Sequence, residues 1–238
     1  MKPSIIINQL SFCYEELPVL QDVNLTISKG DFLAVIGPNG GGKSTLLKLM
    51  MGLLKPNKGK ITLFGKSPEE MRKKIGYVPQ CNKADRMFPI TTYEILLTGA
   101  VSKSKFMGIY PKEIHAKAEE LLELFTLTSH KDKAFGALSG GLAQKTLLAR
   151  ALICDPEIIF LDEPMSNIDA ATKEEIFSFL FNFKKKKTIL MVTHDLQVAV
   201  EKVSRFICIE QKATMMLPKD VCEHFALGLY HTPLQDHE

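Results

Sequence analysis

The chain has 238 residues, 45% hydrophobic and 24% charged, the balance of a globular protein with a sizeable core, which excludes a disordered or fibrous chain. Its formal net charge of +3 is too small to argue for a nucleic-acid partner without a segregated basic face. Five scattered cysteines (Cys13, Cys81, Cys154, Cys208 and Cys222), odd in number and free of CxxC pairing, argue against a disulfide framework or a zinc knuckle and for a reducing compartment.

From the amino terminus, MKPSIIINQLSF offers only a three-residue Ile run, far short of a signal-peptide core. No later apolar run approaches the roughly 20 residues that span a bilayer, so a membrane role has to come through a partner. Residues 4–36 alternate short β-type runs (5–7 and 23–27) with turn signals such as Ser28-Lys29-Gly30-Asp31, predicting an early antiparallel portion. Residues 32–36 are a continuous apolar run, the mark of a strand covered on both faces, and lead into a Gly-rich loop and a helix over 44–51. The stretch from 89 to 153 reads as helical, over 93–97, 115–125 and 141–153, and looks like a helical insertion in an α/β core. Two later apolar, β-branched runs, 158–161 and 188–192, read as further strands of one parallel sheet. In such sheets ligands bind outside the carboxyl ends of the strands, where the polar residues after all three runs fall. The Lys184-Lys185-Lys186-Lys187 run reads as a solvated loop or a contact for anionic lipid, and the tail from Met215 has no clear period.

The chemistry starts with Gly37-Pro38-Asn39-Gly40-Gly41-Gly42-Lys43-Ser44-Thr45, which fits G-x-x-x-x-G-K-[ST] between a strand and a helix. Glycines let successive backbone N–H groups turn inward around phosphates, and the helix N-terminus adds its positive dipole end. Lys43 reaches the β- and γ-phosphates of ATP and the Ser44 hydroxyl ligates Mg²⁺. Residues 158–161 then run into Asp162 and Glu163, which suits a Mg²⁺-organising carboxylate at a strand end followed by a general base that polarises the attacking water.

Leu138-Ser139-Gly140-Gly141, followed by Gln144, Lys145 and Ala149-Arg150-Ala151-Leu152, resembles the signature of the ATP-binding-cassette (ABC) family. That family usually has Gln directly after the two glycines, where this chain has Leu142. Ser139 and the glycines open a helix and so form a second anion site, though a capping Ser with flexible glycines would look the same. The resemblance covers roughly residues 4–210 and implies further roles. Tyr14 corresponds to the aromatic residue that stacks on adenine. Gln80, in Tyr77-Val78-Pro79-Gln80, would touch Mg²⁺ and the attacking water. Asp169, in Ser166-Asn167-Ile168-Asp169, belongs to a loop that crosses the dimer interface. His194, in Val192-Thr193-His194-Asp195, would contact the γ-phosphate.

The family also implies a P-loop NTPase (RecA-like) α/β core of residues 1–88 and 154–238, with an N-terminal antiparallel β portion, and a helical subdomain of residues 89–153. Its mechanism implies head-to-tail homodimerisation on two ATP molecules, in which Ser139, Gly140, Gly141 and Asp169 contact the ATP of the opposite subunit. A single cassette without a membrane segment resembles the ATPase subunits of bacterial import systems, which sit on the cytoplasmic face of the cell membrane, dock on integral membrane permeases and serve an extracytoplasmic substrate-binding protein. The stretch Asp85-Arg86-Met87-Phe88-Pro89-Ile90-Thr91-Thr92-Tyr93-Glu94 resembles the zinc, manganese or iron uptake branch, where it lines the groove for the permease's coupling helix. Another small cargo, or a non-transport cassette acting on nucleic acid or the ribosome, is the alternative; the latter usually carries two cassettes or a coiled-coil insertion. His224, His231 and His237 match no compact metal motif and read as surface residues.

Overall fold

A computed structural model describes residues 3–80, 89–104, 109–166, 168–183 and 186–221. In chain order the elements are β1 (Pro3–Tyr14), β2 (Leu17–Ser28), β3 (Phe32–Ile36), α1 (Lys43–Met50), β4 (Lys58–Leu63), α2 (Pro68–Met71), β5 (Ile75–Val78), α3 (Thr92–Thr98) and α4 (Lys112–Leu124). They continue with α5 (Gly140–Leu152), β6 (Ile158–Asp162), α6 (Ala170–Phe183), β7 (Thr188–Val192), α7 (Leu196–Lys202), β8 (Arg205–Glu210) and β9 (Lys212–Met216). The chain forms two compact units, one of Met1–Arg72 with Phe183–Glu238 and the other of Lys73–Asn182.

In the first unit, β1 lies between β2 and β4 in an antiparallel sheet. The short runs expected over 5–7 and 23–27 are parts of two strands of 12 residues each. Bulges explain why the sequence looks shorter: the buried set of β1 changes from Ile5 and Ile7 to Leu10 and Phe12, a parity shift made at Gln9, whose φ is 48°. β2 makes the same shift at Asp22, between Leu20 and Val23. A second layer is ordered β7-β3-β8-β9, with β3 parallel to both neighbours and β8 antiparallel to β9. All five residues of β3 and of β7 are buried, as continuous apolar runs require. β4, β8 and β9 were not anticipated from sequence, although residues 206–209 are a buried apolar run of strand length. Lys187, expected in a solvated loop, is 8% exposed where it enters β7; Lys184 and Lys185 lie outside the described residues.

In the second unit, β5 and β6 pair in parallel, and the helices expected over 93–97, 115–125 and 141–153 are α3, α4 and α5. Thr91 and Glu94 form a capping box that starts α3, after a proline two residues earlier. The unit closes over fully buried Phe125, Phe135, Phe160 and Phe177, with the ring of Phe125 tilted at 47° against that of Phe179 of α6, centroids 4.8 Å apart. No helix among the described residues is long and apolar enough to cross a membrane.

Candidate functional site

In the first unit, β3 delivers the loop of residues 37–42, and α1 begins at Lys43. Gly42 is the N-cap with φ 103°, a left-handed conformation that only glycine adopts cheaply, and the first turn of α1 has neither a side-chain cap nor an acidic residue. That is an N-terminus without a built-in anion, suited to an external one. Lys43 is 7% exposed, and its Nζ donates to the carbonyls of Gly37 (3.0 Å) and Pro38 (2.9 Å), which holds the ammonium over the loop. Asn39 and Gly40 form the exposed tip; Gly41 is buried and its N–H bonds Pro38 O at 3.1 Å. Ser44 is half-buried and Thr45 buried.

His194 belongs to the same unit. Val35 of β3 is in register with Val192 of β7, and the ladder continues with Thr193 N–H donating to Val35 O at 3.2 Å. Gly37 and His194 therefore leave adjacent strands at the same level, each two residues past the paired valines. His194 is exposed, whereas Thr193 is buried and its Oγ1 accepts from Asp195 N–H at 3.0 Å, which fixes the turn carrying the histidine. Tyr14 ends β1, 43% exposed, with its ring edge-on to Phe12 at 4.8 Å.

In the second unit, Gln80 and Glu163 each follow a strand of the parallel pair, two residues beyond Val78 and Leu161, which are in register. Gln80 Nε2 donates to Glu163 Oε2 at 2.9 Å. Glu163 has φ 49°, so the chain reverses sharply as it leaves β6, and Ser166 Oγ donates to its carbonyl at 3.1 Å. Asp162 ends β6 and accepts a hydrogen bond from Tyr77 on β5; burial first, then the Asp162 charge, push the Tyr77 hydroxyl up to about 12.

Ser139 caps α5, its Oγ accepting from Leu142 N–H at 3.3 Å, so the departure at Leu142 leaves the cap in place because the bond uses main chain. Gly140 is exposed and Gly141 buried. Asp169 is exposed and caps the start of α6: Oδ1 accepts from Thr172 N–H at 2.9 Å and Oδ2 from Thr172 Oγ1 at 2.7 Å, bonds that hold its carboxyl below the usual range. Asn167, next to it in the motif, lies outside the described residues.

The sequence reading missed Tyr77, Thr172 and Thr193 as partners of site residues. Only Thr172 had a usable signal, since Asp-x-x-Thr before a helix is a start pattern. The same unit contains a cavity of about 530 Å³ lined by Ile90, Glu94, Leu97, Ile109, Tyr110 and His115 among others. Residues 85–88, four of the ten in the stretch that resembled metal-uptake cassettes, lie outside the described residues, as do His224, His231 and His237.

The ABC transporter family profile matches residues 20–166. A zinc transport system ATP-binding protein, TroB of Treponema pallidum, is 38% identical over 205 residues, covering 86% of this chain and 77% of its own. A manganese transport system ATP-binding protein, MntB of Bacillus subtilis, is 37% identical over 194 residues, covering 81% and 78%. Among solved structures, cbiO1 from Clostridium perfringens, part of the ABC transporter complex cbiONQ, superposes with a TM-score of 0.82 at 26% identity, covering 95% of this chain and 93% of that one. With a phosphate-type loop after one buried strand, an Asp-Glu pair at the end of another and a Ser-Gly-Gly helix start between them in sequence, the chain belongs to the ABC transporter family as an ATP-binding cassette.

Proposed function

We propose that the chain hydrolyses ATP to drive import of a divalent transition metal, zinc, manganese or iron, through a separate membrane permease. The observation that carries the hydrolytic half is the 2.9 Å bond from Gln80 to Glu163, next to an Asp162 clasped by Tyr77. Loop N–H groups and Lys43 hold the phosphates, and Tyr14 stacks on adenine. The hydroxyl of Ser44, the carboxylate of Asp162 and the amide oxygen of Gln80 are an all-oxygen donor set, which fits Mg²⁺. Bound there, the cation neutralises charge that builds up on the phosphates. Glu163 accepts the proton of a water whose oxygen bonds the γ-phosphorus as the bond to ADP breaks, and His194 steadies the γ-phosphate.

Residues 1–88 and 154–238 act in this reading as the nucleotide core and 89–153 as the helical subdomain. The working unit is a head-to-tail homodimer in which Ser139, Gly140, Gly141 and Asp169 of one copy complete the ATP site of the other. In this reading the cavity beside Ile90 receives a helix of the permease, and the chain works on the cytoplasmic face of the cell membrane, with an extracytoplasmic binding protein supplying cargo and no nucleic acid involved. The names of the zinc and manganese relatives support the choice of cargo.

Replacing Glu163 by Gln is expected to leave ATP binding intact, lower turnover by about 10²–10⁴-fold and trap an ATP-bound dimer; normal turnover removes Glu163 as the base. Cells lacking the chain are expected to accumulate less zinc, manganese or iron by elemental analysis, and unchanged uptake of all three refutes the cargo.

A further inference from the structure

Two segments of this chain are assigned above to the opposite copy's nucleotide: residues 139–141 at the start of α5, and Asp169 before α6. They are 28 residues apart in sequence, yet one side chain touches both. Thr172 Oγ1 donates to Asp169 Oδ2 at 2.7 Å, while the backbone N–H of Thr172 donates to Asp169 Oδ1 at 2.9 Å. The other side of the same side chain lies on Gly141, where an added Cβ would come within 2.7 Å of Thr172 Cγ2 and 3.0 Å of Oγ1. Gly141 does not have the positive φ that would call for glycine on conformational grounds. Its lack of a side chain is what lets α6 approach.

A second tie lies one turn further along both helices. Lys145, four residues after Gly141, pairs through Nζ with Glu175 Oε2 at 2.6 Å, three residues after Thr172. The Lys145 side chain is 9% exposed and that of Glu175 39%, so the pair is shielded on the lysine side and open to solvent on the glutamate side. Lys145 Nζ also lies 3.5 Å from Thr126 Oγ1 at the end of α4. The start of α5 is thus held to α6 by a van der Waals seat at Gly141 and the Lys145–Glu175 ion pair, while the bidentate cap ties Asp169 to Thr172 on the α6 side.

We propose that Thr172 is a positioning residue that makes the Ser139–Gly141 segment and Asp169 a single rigid element, so that both reach the partner's nucleotide together. This rests on the composite-site reading above and goes beyond it. Its consequence is specific: loosening Thr172 weakens the contribution a chain makes to its partner's ATP while leaving the chain's own phosphate loop, which lies in the other compact unit, unchanged.

The test uses the full chain carrying Glu163→Gln, with ATP-dependent dimerisation followed by light scattering and single-chain nucleotide affinity followed with a fluorescent ATP analogue under dilute conditions. Thr172→Val keeps the shape against Gly141 and removes the hydroxyl from Asp169. It is expected to weaken dimerisation about tenfold, with nucleotide affinity and thermal midpoint close to the parent, and, in the Glu163 background, to lower kcat without raising KM. Thr172→Ser keeps the hydroxyl, and with it the Asp169 bond and the Oγ1 side of the Gly141 contact, but loses Cγ2, and is expected to be less impaired than Thr172→Val. A Thr172→Val chain that dimerises like its parent overturns the proposal, as does one that loses thermal stability and nucleotide affinity in the same proportion, or a Thr172→Ser as impaired as Thr172→Val. A parent that does not dimerise on ATP overturns the composite-site reading itself, a distinguishable failure.

Discussion

Gly37→Ala is the sharpest test of how the phosphate loop is held. An added Cβ would sit 2.0 Å from Ile209 O, 3.0 Å from Ile209 C and 3.3 Å from Ile209 N, all backbone atoms of β8. An ordinary carbon–oxygen contact is about 3.3 Å, so the overlap exceeds about 1 Å. β8 cannot retreat, since Cys208 is in register with Ile36 of β3 on one side and Ile209 with Ala213 of β9 on the other. The loop has to move instead. Overpacking costs about 1–3 kcal/mol and a left-handed backbone on a residue with Cβ about 1–2 kcal/mol, together about 2–5 kcal/mol. With a urea slope of about 2–3 kcal/mol per molar, the unfolding midpoint falls by about 1–2 M. Gly40→Ala is the matched control: φ is +78° but nothing lies within 4 Å of its Cβ, so only the conformational cost applies and the shift stays below about 0.5–1 M. Equal shifts for the two variants, or a larger one for Gly40→Ala, refute the claim that the main chain of Ile209 sets the loop.

Lys43→Ala removes an ammonium that makes charge-assisted bonds and is expected to weaken ATP binding at least about tenfold in a fluorescent-nucleotide titration, with unchanged affinity contradicting the loop assignment. Tyr77→Phe acts through pH. The folded chain holds the Tyr77 proton up to about 12, against 10.0 for the free group, so the unfolded chain loses it first. Its stabilising contribution is intact below pH 10 and is lost as pH rises from 10 towards 12, and the Phe variant is expected to lack this alkaline step in urea midpoints taken across that window. An identical alkaline profile in the two proteins refutes the upward shift of the Tyr77 hydroxyl.

The legible part of this protein was the part whose function demands a residue type at a fixed spacing. Glycines, Lys43 and Ser44 at a strand-to-helix junction could be read directly, because phosphate binding needs main-chain N–H groups at close approach. The long strands were obscured by bulges at Gln9 and Asp22, which break the period-two alternation that identifies a strand. β4 was hidden differently. Its buried residues, Ile61 and Leu63, gain meaning only from pairing with Ile7 and Ile5, more than fifty residues away. Thr172 illustrates a third limit, because a threonine three residues after an aspartate announces a helix cap but not the glycine on its other side.

Parallel register explains how motifs far apart in sequence come to face the same way. Gly37 and His194 stand two residues beyond the paired Val35 and Val192, and Gln80 and Glu163 two residues beyond the paired Val78 and Leu161. A slip of one residue in either pair would move one member of each couple by about 3.3 Å and turn it to the opposite face of its strand, which separates Gln80 from Glu163 beyond hydrogen-bond reach. The buried apolar runs of β3, β6 and β7 are therefore not merely core. They fix the register that sets the chemistry, with Glu163 then brought round by its own left-handed backbone at φ 49°, a strain of about 1–2 kcal/mol that the Ser166 bond to its carbonyl helps to hold.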